Sequence, residues 1–114
     1  MSLVVDTGVL YAHHDRDAKH HQAAKEAMTA ALKGEYGQPY VTDYVYDETV
    51  TLTRRRMGGF YDAKTVSDRI LGNDALKLLW VERRYFEKSV EIFEKYKDQS
   101  LSFTDASTVA LPHG

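Results

Sequence analysis

The chain has 114 residues, the size of one globular domain, and its 43% hydrophobic and 28% charged residues are typical of a protein with a packed core. A formal net charge of −2 excludes the strongly basic surface of many nucleic-acid-binding domains, so a nucleic-acid partner requires a local basic patch. The absence of cysteine excludes disulfides and thiolate metal sites, and leaves carboxylates and histidines as metal ligands.

The chain shows no apolar run of the roughly 20 residues that a membrane helix needs, and its N-terminus lacks the pattern of a signal peptide. We therefore expect a cytoplasmic protein that does not bind a membrane. We also expect residues 1–114 to form a single domain, because no linker, repeat or low-complexity segment divides them.

The first predicted strand ends in an acid. Residues 3–5 form a short apolar run that Asp6-Thr7-Gly8 interrupts, which is typical of a buried strand ending in a turn. This strand carries Asp6 at its carboxyl end.

Strands and helices alternate along the rest of the chain. In order, the pattern predicts a helical turn at 9–12, a helix ending near Lys33, a strand at 39–41, a helix capped by Thr42 or Asp43 and ending near Met57, a helix capped by Asp62, a strand at 76–81, a helix at 82–97, a strand at 101–103 and a helix at 104–111 halted by Pro112. Such alternation favours parallel pairing, and we predict a three-layer α/β/α sandwich with a small parallel sheet.

Three acids on different elements are candidates for one site. Asp6 and Asp105 each follow a predicted strand, at the sheet edge where the loops of parallel α/β proteins bind ligands. Glu48 lies three residues after Val45 and four before Leu52, on the predicted inward face of its helix. An unpaired buried carboxylate costs several kcal/mol, so a partner or a cation is expected there.

Each acid alone also has an ordinary explanation. Asp6 and Asp105 suit turn or helix-cap positions, and Glu48 suits a salt bridge to a lysine or arginine. Together the three carboxylates form the oxygen-rich ligand set that Mg²⁺ or Mn²⁺ prefers, with Thr7 and Thr104 as neighbouring hydroxyls that could orient them or a water.

Three segments carry a resemblance to a known family. V-V-D-T-G-V-L-Y-A, Y-V-Y-D-E-T-V-T-L and S-F-T-D-A-S-T-V-A-L resemble PIN-domain proteins, particularly the VapC-like ribonucleases, in order and spacing across nearly the whole chain. The resemblance implies a PIN-like fold in which Asp6, Glu48 and Asp105 are metal-binding, catalytic carboxylates. It also implies Mg²⁺- or Mn²⁺-dependent endonucleolytic cleavage of RNA by activated water, a role as the toxin of a toxin-antitoxin pair, an antitoxin partner and a homodimer.

The C-terminus departs from the family pattern. Members usually continue into a further strand and carry a fourth acidic residue, whereas this sequence ends in Leu-Pro-His-Gly. We therefore expect a PIN-like domain that lacks the usual C-terminal strand and helix. The alternative function is a catalytically impaired PIN-fold binding module or a truncated toxin remnant.

Other features leave further alternatives. Arg54, Arg55 and Arg56 form the candidate RNA-binding patch, although charge runs are often only a solvated face. A zinc site among the histidines at 13–21 is disfavoured, because adjacent histidines on a helix point in different directions. A phosphohydrolase of the haloacid dehalogenase type requires a second aspartate where Gly8 stands.

The homodimer has independent support in the sequence. Tyr61, Ile70 and Leu71 are apolar residues for which a chain of this size offers no evident cover. We expect a second copy of the chain to bury them.

Overall fold

The computed structural model describes residues 2–111 and has a small parallel sheet flanked by helices. In chain order the elements are β1 (Ser2–Val4), α1 (Thr7–His14), α2 (His21–Leu32), β2 (Gln38–Thr42), α3 (Asp43–Met57), α4 (Phe60–Leu71), β3 (Lys77–Leu79), α5 (Arg83–Lys95), a 3₁₀ turn (Lys97–Gln99) and α6 (Phe103–Ala110). The predicted α/β/α class is confirmed.

β2 is the central strand of the three that the described residues form. β1 pairs with it in parallel register, with Val4 opposite Tyr40, and β3 pairs on its other side, with Leu79 opposite Thr42. Both crossovers contain helices, as parallel pairing requires. The carboxyl ends of all three strands therefore lie along one edge of the sheet.

The core lies between this sheet and helices α1 to α4. Its buried side chains come from every one of those elements and from the segments beside β1 and β3: Val5, Leu10, Met28, Val41, Val45, Val66, Ile70 and Leu76. Central burial of the β-branched Val41 and Val45 explains why β2 and the start of α3 are fixed relative to each other.

α3 has clear sequence signals at both ends. The Thr42 hydroxyl accepts a hydrogen bond from the Val45 N–H at 3.1 Å and caps the first turn. Gly58 follows the last turn with φ +92°, a left-handed conformation that glycine adopts without strain. The predicted boundaries of this helix are confirmed.

Two local predictions are wrong. Residues 101–103 are not a strand, because Ser102 caps α6 and Phe103 already belongs to that helix. Asp62 does not cap α4; Gly59 occupies the cap position and Asp62 lies in the first turn. The predicted halt of α6 at Pro112 lies outside the described residues.

The three apolar residues on which the dimer prediction depends differ in their exposure to solvent. Tyr61 and Leu71 remain exposed on α4, whereas Ile70 is buried in the core and needs no further cover. None of the helices in residues 2–111 is long and apolar enough to cross a membrane.

Candidate active site

Asp6 lies where the chain leaves the sheet. The Val5 N–H still bonds to the Tyr40 carbonyl oxygen at 2.9 Å, and Asp6 then becomes the N-cap of α1. Its Oδ1 accepts a hydrogen bond from the Val9 N–H at 2.9 Å, while the side chain remains exposed. The cap fixes the carboxylate beside the helix start and uses only Oδ1 among the hydrogen bonds of the described residues.

Glu48 is the sixth residue of α3, about 7 Å along the helix axis from its start at a rise of about 1.5 Å per residue. The buried face of α3 consists of Val45, Thr49 and Thr53, and Glu48 borders it in a half-buried position. None of the salt bridges among residues 2–111 involves Glu48. A structural ion pair therefore does not explain this carboxylate within the described chain.

Asp105 belongs to a capping box. Its N–H donates to the Ser102 hydroxyl at 3.0 Å, and its Oδ2 accepts from the Ser102 N–H at 3.2 Å. The side chain is exposed and sits in the first turn of α6. Asp105 is thus presented by a helix start rather than by a strand end.

Helix α3 links the elements that carry the three acids. α1 and α6 both pack against it. The Tyr44 ring, near the start of α3, lies 6.0 Å from the Phe103 ring at the start of α6. Across residues 2–111, however, no group of three or more His, Asp or Glu side chains is gathered closely enough to hold a metal ion. The common site of Asp6, Glu48 and Asp105 stays a prediction.

Two threonines support the placement of a polar ligand near these acids. Thr7 follows Asp6 and Thr49 follows Glu48, and each hydroxyl is buried without a hydrogen-bond partner among the described atoms. Leaving a buried hydroxyl unpaired costs about 1–3 kcal/mol, which a water bound at each hydroxyl would relieve. The carboxylate donors themselves match the preference of Mg²⁺ and Mn²⁺ for oxygen.

Thr104, the second predicted supporting residue, is half-buried. Its backbone carbonyl oxygen accepts hydrogen bonds from the Ser107 hydroxyl at 2.6 Å and the Thr108 hydroxyl at 3.3 Å. It follows the Ser102 cap and precedes Asp105, so it helps to form the turn that presents the acid. Its role beside a ligand stays a prediction.

A groove opens beside Asp6, between α1, α2 and α3. Its volume is about 710 Å³, within the range of small-ligand sites. Small apolar side chains dominate the wall, and the charged and polar residues on it are Asp6, Tyr11, Asp15, Lys19, His20 and Arg56. We refer to it as the Asp6 groove.

A buried tyrosine organises one wall of the Asp6 groove. The Tyr11 hydroxyl donates to Asp15 Oδ2 at 2.5 Å, and the Arg56 guanidinium carbon lies 5.3 Å from the centroid of the Tyr11 ring. Burial and the hydrogen bond to Asp15 raise the pKa of Tyr11, while the Tyr11 hydroxyl and the Asp17 N–H lower the pKa of Asp15. Asp15 is therefore held as an anion. Tyr11 is not among the site residues that the sequence predicts.

The arginine patch is divided between two surfaces. Arg56 lines the Asp6 groove, whereas Arg54 and Arg55 line a separate groove of about 430 Å³ together with Phe60 and Lys64. All three arginines are exposed and none forms a salt bridge within the described chain. Consecutive helical positions point about 100° apart, which accounts for the division.

A match to a family model gives the class of protein. The family model of the PIN domain matches residues 3–111, and the chain belongs to the PIN-domain family.

Two relatives give a finer comparison. The chain is 23% identical over 107 residues to the VapC ribonuclease of Archaeoglobus fulgidus, an alignment that covers 93% of this chain and 67% of that protein. Among solved structures, it is similar to the Mycobacterium tuberculosis toxin VapC20, described as cleaving the sarcin-ricin loop, with a TM-score of 0.81, 22% identity, and coverage of 96% of this chain and 79% of that one.

Proposed function

We propose that the chain is a metal-dependent endoribonuclease and the toxin of a toxin-antitoxin pair. The observation that carries the proposal is the position of Asp6 in this PIN domain. Asp6 follows β1 at the carboxyl edge of the sheet and lines a groove. The similarity to a VapC ribonuclease supports RNA as the substrate. The proposal places the protein in the cytoplasm, with an antitoxin as a protein partner.

In this mechanism Asp6, Glu48 and Asp105 are the residues that would hold Mg²⁺ or Mn²⁺. When bound, the metal supplies Lewis-acid stabilisation of the phosphoryl oxygens and lowers the pKa of the attacking water. The carboxylates orient that water and accept its proton. Thr7 beside Asp6 and Thr104 beside Asp105 would orient these carboxylates or the water through their hydroxyls. No side chain forms a covalent bond to the substrate.

The test is cleavage of single-stranded RNA by purified protein with Mg²⁺ or Mn²⁺, compared with EDTA and with Asp6→Asn. Asparagine is as good an N-cap as aspartate, so this variant keeps the cap of α1 while it loses the charge. We expect the rate to fall more than about 100-fold, because even indirect partners of metal ligands contribute 10–100-fold. Equal cleavage by Asp6→Asn, or cleavage in EDTA, would contradict the proposal.

A non-catalytic PIN module is the second candidate function. It is favoured by the absence, within residues 2–111, of a ready-made group of three ligand acids. This candidate predicts metal-independent RNA binding and no fragments. The cleavage assay separates the two functions, because it measures fragments while a parallel binding assay measures complex formation.

A further inference from the structure

The Asp6 groove contains one arginine, Arg56, for which the described residues provide no salt bridge. Among residues 2–111, three exposed cations are paired within their own helix or at its start: Lys64 with Asp68 at 2.8 Å, Arg83 with Glu87 at 3.3 Å and Arg84 with Glu82 at 3.1 Å. Arg56 forms no such bridge in the described part of the chain. Its guanidinium therefore retains the capacity to bind an anion.

The position of Arg56 is nevertheless defined. It lies in the last turn of α3 with its guanidinium carbon 5.3 Å from the centroid of the Tyr11 ring. Tyr11 is only 7% exposed, and its hydroxyl is held by Asp15, whose Oδ1 also accepts from the Asp17 N–H at 2.9 Å. A fixed ring beneath a guanidinium limits the motion of the arginine and reduces the entropy lost when it binds a ligand.

The chemistry of the groove matches a nucleic-acid backbone. Asp6 and Arg56 both line the Asp6 groove, and Lys19 adds a second exposed cation to it. The alanines at 12, 23, 24 and 27 keep much of the wall small, which leaves room for a sugar-phosphate chain. Arginine binds phosphate through two parallel N–H donors, which lysine cannot match.

We propose that Arg56 binds a backbone phosphate of single-stranded RNA in the Asp6 groove, next to the phosphate cleaved at Asp6. The inference rests on the proposed ribonuclease function. It assigns the principal phosphate contact of the arginine patch to Arg56, because Arg54 and Arg55 line the other groove. The Tyr11 ring supports the guanidinium and does not itself bind the phosphate.

The experiment measures binding of a fluorescently labelled single-stranded RNA by anisotropy, in EDTA, so that cleavage does not interfere. Arg56→Ala is expected to weaken binding about 10-fold to 100-fold, the effect of one charge-assisted contact, and to reduce the slope of log K against log salt by about 0.7. Arg56→Lys is expected to keep the salt slope and to recover only part of the affinity.

Arg83→Ala is the charge-matched control, because Arg83 is exposed on α5 and does not line the groove. It is expected to change affinity less than about 2-fold, as a surface charge does. Arg54→Ala and Arg55→Ala are expected to weaken binding less than Arg56→Ala. Circular dichroism of each variant checks that the fold is kept.

Three outcomes would overturn the inference. Alanine at Arg54, Arg55 and Arg56 could lower the RNA affinity equally, Arg83→Ala could lower it as much as Arg56→Ala, or the wild type could bind no RNA. The ribonuclease proposal fails separately. If Arg56-dependent binding is found without any metal-dependent fragments, the phosphate contact stands and the enzyme does not. If fragments form equally fast with Arg56→Ala at low RNA concentration, the enzyme stands and the contact does not.

Discussion

Glu48 and Asp47 are adjacent acids on α3 with different surroundings. Glu48 is half-buried at the border of the buried face of α3, whereas Asp47 is exposed. Glu48→Gln keeps the size of the side chain and removes its charge. If Glu48 holds the metal, this change lowers metal-dependent RNA cleavage more than about 100-fold.

Asp47→Asn is the matched control for that prediction, since it removes the same charge from the same turn of the helix. It is expected to leave the cleavage rate close to that of the wild type. Equal losses from the two variants would mean that only the net charge of α3 matters, and the assignment of Glu48 would fail.

His13 and His14 make stability depend on pH. Burial first, and then the positive charge of Arg69, lowers the pKa of both imidazoles below 6.5. The unfolded chain therefore binds protons more readily than the folded one. The stability that comes from the neutral side chains is present above pH 6.5 and is lost as the pH falls through 6.5 toward the folded pKa.

We expect the urea midpoint of the wild type to fall between about pH 7.5 and about pH 5.5, and to fall less in His13→Gln/His14→Gln. His20→Gln is the control, because His20 is exposed at the rim of the Asp6 groove. An equal fall in the double variant would show that other groups govern this range. Asp15, whose pKa is lowered from 3.8, affects stability only at more acidic pH.

The sequence predicts the positions of some site residues but not their long-range contacts. The position of Asp6 follows from a strand interrupted by a polar turn, and that placement is what the structure has. The contacts of Arg56 with Tyr11, and of His14 with Arg69 at 3.2 Å, join residues far apart in the chain. The local sequence pattern does not indicate such contacts, because they depend on how α3 packs against α1 and α4.

At the scale of elements, α6 shows how a short apolar pattern misleads. The alternation of Leu101, Ser102 and Phe103 suits a strand of three residues, but Ser-x-x-Asp at the start of a helix is the signature of a capping box. Two reciprocal hydrogen bonds between Ser102 and Asp105 pair the backbone N–H groups of both residues, and the helix begins there. The longer α3 was predictable because a cap, a periodic face and a terminal glycine agree.

Ser102→Ala removes one half of this capping box. We expect it to lower the free energy of unfolding by about 1 kcal/mol and to reduce RNA cleavage as well, because the turn that presents Asp105 then frays. Chemical denaturation and the cleavage assay measure the two effects. Ser102→Thr retains the capping oxygen and is expected to be close to wild type in both; a loss equal to that of Ser102→Ala would contradict the role of the cap.

For the whole molecule, the distribution of apolar surface supports a homodimer. Tyr61 is 83% exposed and Leu71 is 59% exposed on α4, and Phe60 beside Tyr61 is also exposed. These side chains make no contribution to the core around Val66 and Ile70. Large exposed apolar residues commonly mark an interface, and we propose α4 as the dimer contact.

Light scattering at tens of micromolar is expected to give twice the chain mass of 13.0 kDa. Tyr61→Ser/Leu71→Ser is expected to shift the protein toward one chain mass, because each exposed apolar side chain that a partner covers contributes to association at roughly 25 cal/mol per Å² buried. Trp80→Ser is the control: Trp80 is 68% exposed but lies after β3 and not on α4. A wild-type mass of one chain would exclude the homodimer at this concentration, whereas dissociation by Trp80→Ser and not by the α4 variant would move the contact to the edge of the sheet.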